Sequence, residues 1–102
     1  SALMMLGDKV SAEEAERMNM IYKVFPDETF MAQAEEIGQK LANMPTKGLA
    51  YTKYLLNRST TSTLEDQLER ERTWQYRATL TEDYKEGVNA FLEKRAPKFK
   101  GK

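Results

Sequence analysis

A mainly α-helical protein is predicted by three features of this 102-residue chain. Side chains suited to starting helices recur along it: Ser11, Thr46, Thr63 and Thr81. Apolar residues between them fall at helical spacing. Only one segment, residues 20–25 (MIYKVF), has the β-branched and aromatic character of a strand. About five helices and at most one short strand are therefore expected.

Taken in order, Ser1 to Gly7 (SALMMLG) reads as the apolar last turns of a helix stopped by Gly7. The chain does not begin with Met, and this greasy start suggests a piece of a longer protein. Ser11-Ala12-Glu13-Glu14 is a capping box. In it the Ser11 oxygen takes the Glu14 amide and Glu14 reaches back to the Ser11 amide. Asn19 tolerates the left-handed conformation that ends helices. The strand-like MIYKVF is closed by Pro26-Asp27, and a lone strand needs a partner from elsewhere to satisfy its backbone.

Asp27 is placed to cap the next helix. On that helix Phe30, Ala34, Ile37, Leu41 and Met44 share one face, and Pro45 ends it. Thr46 starts a helix running to about Asn57, followed by the polar loop 58–63. Thr63 caps a helix lined on one side by Leu64, Leu68, Gln75 and Ala78, with Asp66 and Arg70 spaced for an ion pair. Thr81 caps the last helix, which carries Tyr84, Val88, Phe91, Leu92 and Arg95 and is stopped by Pro97. Gly87 lies inside it at a cost of about 1 kcal/mol relative to Ala, which fits a close approach by another part of the backbone or simple drift.

Composition narrows the chemistry. With no His and no Cys, disulfides, thiolate metal sites, Ser-His triads and Cys-His dyads cannot be built from this chain. No apolar run approaches the roughly 18 residues of a membrane span. The first residues lack a basic-then-apolar signal pattern, so a cytoplasmic location is expected. Lys+Arg and Asp+Glu balance at 16 each. Residues 91–102 (FLEKRAPKFKGK) nevertheless hold five positive charges against Glu93 alone. Such an end suits the phosphate of a small molecule, a nucleic acid, or merely solvent. Nucleic acid fits poorly, because the aromatics are not interleaved with a broad basic face. At 11.8 kDa, a compact chain would bury roughly 65% of its unfolded surface, enough for a marginal core.

The order of these signals resembles one family. The stretch LMMLGDKVSAEEAERMNMIYKVFPDE resembles the pattern LxLTGxxxSAxEAxxxGLVxxVVP of the enoyl-CoA hydratase/isomerase (crotonase) superfamily. LANMPTKGLAYTKYLLN is similar to a helix pair of that family. EDYKEGVNAFLEKRAPKFKGK looks like its ending D-x-x-E-G-x-x-A-F-x-E-K-R-x-P-x-F. SAEEA alone would be weak; the ending, at its proper distance, makes the match specific. Asn19 departs from the family's usual Gly. Within the family, MIYKV and the ending resemble most the branch that isomerises 1,2-epoxyphenylacetyl-CoA.

The resemblance implies the C-terminal helical region of a crotonase-like fold, with residues 1–26 the tail end of the spiral core and 27–102 the helical part. It implies a trimeric or hexameric acyl-CoA enzyme, cytoplasmic and without membrane or nucleic-acid partners. No cofactor is implied beyond the coenzyme A of the substrate. The family's oxyanion hole and acidic catalytic groups belong to the portion preceding these motifs, so no catalytic residue is expected here. Phe91 and Lys94 match family positions at the CoA nucleotide end, the ring near adenine and the ammonium near phosphate. Against this, Phe91 shares a face with Tyr84 and Val88 and could simply be core. Lys94 could be a solvated last-turn lysine favoured by the helix dipole. Trp74 and Tyr76 could anchor a subunit interface, or Trp74 could be buried core. The remaining alternative is a non-catalytic helical interaction module with a basic, anion-binding tail.

Overall fold

The computed structural model describes residues 2–102; Ser1, part of the expected opening helical turn, lies outside them. Six helices are present among the described residues: α1 (Ala2–Leu6), α2 (Ala12–Arg17), α3 (Phe30–Ala42), α4 (Thr46–Ser59), α5 (Leu64–Thr79) and α6 (Glu82–Leu92). The chain divides into two compact units, residues 1–35 and 36–102, and the division falls within α3.

In the first unit, α1 ends at Gly7, whose φ of 69° is left-handed and whose amide donates to Leu3 O at 3.1 Å. Ser11 caps α2 as its sequence requires, accepting the Glu14 amide at 3.1 Å. The reciprocal half of the capping box does not form. The Glu14 carboxylate turns to Arg17 one turn on, which holds it below its ordinary pKa. Asn19 takes φ 58°, and the amides of Asn19 and Met20 return to Glu16 O and Ala15 O at 2.9 and 2.8 Å. That double closure is the Schellman ending expected of it.

The strand-like 20–25 segment forms no strand. A strand needs a ladder partner, and none lies among the described residues. The Val24 amide finds a carboxylate instead, Glu16 Oε2 at 2.8 Å. Asp27 does not cap α3 through its side chain. A turn closed by the Thr29 amide on Pro26 O at 3.0 Å leads into the helix, which begins at Phe30.

In the second unit α4 packs on α5 and α5 on α6. Pro45 precedes α4, where its missing N–H costs nothing. The helix then runs two residues past the expected end, to Ser59, whose hydroxyl donates to Leu56 O at 2.8 Å. Thr63 and Thr81 cap α5 and α6, accepting the amides of Asp66 and Tyr84, each at 3.1 Å. Asp66 is engaged by the Thr63 hydroxyl at 2.9 Å rather than by Arg70. The ion pair on this helix joins Glu69 to Arg72.

The α4–α5 contact is aromatic. The Trp74 ring stands 4.8 Å from Tyr51 and 4.7 Å from Tyr54 between centroids, with the Arg77 guanidinium 4.6 Å over it. Trp74 thus serves the packing of the unit itself, whereas Tyr76 is exposed.

Even the marginal core expected from chain length is scarcely formed among the described residues. Among the described residues only Ala90 and Asp83 are buried, and apolar side chains such as Met4, Leu64 and Leu92 stand in solvent. The helices present more apolar surface than this chain covers, and faces of that kind are characteristic of contact with further protein.

Candidate functional site

The site expected around Phe91 and Lys94 is built on the end of α6 and on the tail that folds back along it. α6 stops at Leu92, earlier than expected, five residues ahead of Pro97. Its stop is a second Schellman turn. The amides of Lys94 and Arg95 return to Phe91 O and Ala90 O at 3.2 and 3.0 Å. This turn requires a left-handed residue, and Lys94 occupies it at φ 54°. Glycine is the usual occupant, and a side chain there costs about 1 kcal/mol or more.

The tail is anchored by two carboxylates one turn apart on α6. Asp83, 3% exposed, accepts the amides of Lys100 at 2.6 Å and Gly101 at 2.8 Å. Its own amide donates to Lys102 O at 3.2 Å. Glu86 takes the Arg95 guanidinium through both oxygens, at 2.6 and 2.9 Å, and the Lys98 amide at 2.8 Å. Arg95 also donates to Glu93 at 2.6 Å. The Arg95 guanidinium, helped by the Lys98 amide, holds the Glu86 carboxyl down to about 2, while Glu86 and Glu93 raise Arg95 further. The tail read from composition as free positive charge is therefore partly neutralised and fixed in place.

The carboxylate that Glu86 brings to the tail carries a pH signature. Its folded-state pKa lies near 2, below the ordinary 4.5. The stabilisation is complete above pH 4.5 and disappears as the pH falls toward 2. Urea midpoints measured across that window should decline in the wild type. The decline should be shallower in Glu86→Gln, which has no carboxylate to titrate.

The strap forms one wall of an apolar groove of about 420 Å³ that opens along α6. Phe99 contributes from the tail, Tyr84, Val88 and Phe91 from α6, and Pro45 from the start of α4. Phe91 shares its face with Tyr84 and Val88 as expected, but the face is uncovered and Phe91 is 83% exposed. It is no core residue of this chain. Lys94 is exposed on the adjoining turn, and its ammonium forms no ion pair among the described residues. Structure thus brings Phe91 and Lys94 together on a single turn.

Two glycines sit where the strap meets the helices. A Cβ on Gly87 would lie 3.6 Å from the Phe99 ring, an ordinary contact, so the neighbour is an aromatic ring and no backbone. A Cβ on Gly101, at φ +71°, would lie 2.5 Å from Thr46 Oγ1. Gly87→Ala should therefore be neutral or gain up to about 1 kcal/mol from helix propensity. Gly101→Ala should lose about 1–2 kcal/mol from the left-handed backbone alone. Chemical denaturation of the two variants side by side checks both signs.

Sequence reading did not single out Asp83 and Glu86 as the anchors. Both stand in the quoted D-x-x-E-G pattern, three residues apart and just ahead of a basic segment, and that was the available signal. No group of three or more acidic side chains among the described residues is disposed to hold a metal. No helix among the described residues is long and apolar enough to cross a membrane.

In the second unit α4 packs on α5 and α5 on α6, which is strapped by its own tail, and the chain has the mainly helical C-terminal region of a crotonase-like fold. The chain superposes on the enoyl-CoA hydratase from Polaromonas sp. JS666 with a TM-score of 0.89 at 30% identity, covering 98% of this chain and 39% of that one. The family model for enoyl-CoA hydratase/isomerase matches residues 1–102, and the chain belongs to that family. It is similar to the 1,2-epoxyphenylacetyl-CoA isomerase of Escherichia coli (strain K12), 45% identical over 100 residues, covering 98% of this chain and 38% of that protein. It is also similar to the 2,3-dehydroadipyl-CoA hydratase of the same organism, 31% identical over 102 residues, which cover 40% of that protein. The chain therefore spans about two fifths of the length of these curated relatives.

Proposed function

We propose that this chain supplies the oligomerisation surface and part of the CoA-binding pocket of an acyl-CoA enzyme that hydrates or isomerises its thioester. In this reading Lys94 and Phe91 meet the nucleotide end of coenzyme A, the ammonium as a point charge for phosphate and the exposed ring as a platform for adenine. The observation that carries it is the conformation of Lys94. A lysine stands at a left-handed position where glycine would be unstrained, and strain of that kind points to a use for its side chain.

The oxyanion hole that would polarise the thioester carbonyl, and the acidic groups that would move protons, belong in this reading to the rest of the enzyme. Residues 1–26 are then the end of its spiral core and 27–102 its helical part. The enzyme is cytoplasmic, assembles as a trimer or hexamer, and needs no cofactor beyond the coenzyme A of its substrate. Uncovered apolar side chains along α1, α5 and α6 support the assembly part.

The alternative, a non-catalytic interaction module with an anion-binding tail, is less well supported. The amides of Lys98, Lys100 and Gly101 are already taken by Glu86 and Asp83, leaving an anion only the flexible ammonium groups. The test is turnover. Incubated with crotonyl-CoA and with an unsaturated phenylacetyl-type CoA, the 102-residue chain should give background rates alone. Clear saturable turnover would show that the chain carries its own catalytic groups and would overturn the reading.

A further inference from the structure

The strap does more than tie down a chain end. Its two anchors divide the tail between them. Glu86 holds Arg95, which follows directly on Lys94, and Lys98, which follows directly on Pro97. Asp83 holds Lys100 and Gly101, which directly follow Phe99. Between the anchors Phe99 is set against Gly87 and walls the groove that Phe91 borders.

The strained turn at Lys94 has no glycine to make it easy. Of the two amides that close it, one belongs to Arg95, whose side chain is locked by Glu86 and Glu93. The bidentate clamp thus sits on the residue next to Lys94, placed to resist its relaxation to an ordinary conformation. Asp83, one of only two buried residues among those described, spends both oxygens on tail amides and neither on its own helix. That is an expensive use of a buried carboxylate unless the position of the tail matters.

We propose that Asp83 and Glu86 are positioning residues for the CoA-facing surface: Glu86 fixes the left-handed turn that carries Lys94, and Asp83 fixes Phe99 as the wall beside Phe91. The proposal rests on the function given above to Lys94 and Phe91, and neither carboxylate touches the ligand. A purely structural role would predict a uniform loss of stability. A positioning role predicts that each anchor governs its own segment.

The experiment uses the full chain, isotope-labelled, with amide hydrogen exchange and ring contacts read residue by residue and coenzyme A as the probe. Glu86→Gln should accelerate exchange at Lys94 and Arg95 about tenfold or more and weaken the response of the Lys94 amide to coenzyme A at least fivefold. Pantetheine, which lacks the nucleotide, should report no such difference. Asp83→Asn should accelerate Lys100 and Gly101 and abolish the Phe99–Gly87 contact. Phe99→Ala keeps both anchors and guards against misfolding; it should leave Lys100 and Gly101 protected while removing the groove wall. If Glu86→Gln leaves Lys94 and Arg95 as protected as in the wild type, or if Phe99 stays on Gly87 in Asp83→Asn, the positioning role is overturned. If the wild type shows no response to coenzyme A while the exchange effects appear as stated, the strap stands and the nucleotide-end reading of Lys94 in this chain fails.

Discussion

Trp74→Ala should cost the 36–102 unit about 3 kcal/mol, at the lower end for deletion of a large aromatic because the ring is only partly buried. Trp74 is the chain's single tryptophan, and it packs against both Tyr51 and Tyr54 of α4, within 5 Å by centroid in each case. Tilted aromatic pairs of this kind add roughly 0.5–1.5 kcal/mol each beyond area. The Arg77 guanidinium over the indole adds about 0.5–1 kcal/mol at a partly exposed site. With Ala90 the sole buried apolar residue among those described, there is little core elsewhere to compensate. Trp74→Phe keeps a ring in the cleft and should lose about 1 kcal/mol. Urea unfolding followed by far-ultraviolet circular dichroism measures both. A loss below about 1 kcal/mol for the alanine variant would mean that the two helices are held by something other than this cluster.

What the sequence disclosed and what it hid separate by distance along the chain. Ser11, Thr63 and Thr81 were legible as caps because each bonds an amide three residues on, and Asn19 was legible because one residue type suits a left-handed stop. Glu14 and Asp66 went astray by one step: each had two partners in reach, and Arg17 and the Thr63 hydroxyl won over the Ser11 amide and Arg70. Residues 20–25 carried strand-like side chains, yet a strand is a property of two segments and no partner segment lies among the described residues. The strap escaped altogether. Its bonds join residues 9 to 18 positions apart, and charge counting treats Arg95 as free when Glu86 and Glu93 hold it. The candidate site residues themselves were pointed to by resemblance. Their residue types alone favoured a core phenylalanine and a solvated lysine, and the left-handed backbone at Lys94 gives a physical reason to set it apart.

Lys94 should separate stability from binding. Replacing it by glycine removes the strain of a side chain at φ 54° and should raise stability by about 1 kcal/mol. Alanine keeps the strain and should leave stability nearly unchanged. Both remove the ammonium. In the whole acyl-CoA enzyme proposed above, losing one charge-assisted contact to phosphate should cost roughly 1.5–3 kcal/mol of binding if the contact is dry, or roughly 10- to 150-fold. The loss shrinks if water reaches the contact. A contact to the nucleotide acts alike on ground and transition states, so it should appear as a raised KM with kcat unchanged. A truncated pantetheine thioester, which has no phosphate for Lys94 to meet, should be turned over equally well by wild type and both variants. Phe91→Ala should behave like Lys94→Ala: the residue is 83% exposed, so its loss should cost little stability, and it should weaken CoA binding by removing the platform proposed for adenine. The critical comparison is Lys94→Gly, more stable yet weaker for the CoA thioester. Equal losses on the CoA and pantetheine substrates would show that the lysine does not serve the nucleotide. A glycine variant no more stable than the wild type would show that the turn carries no strain, removing the physical reason for assigning its side chain a function.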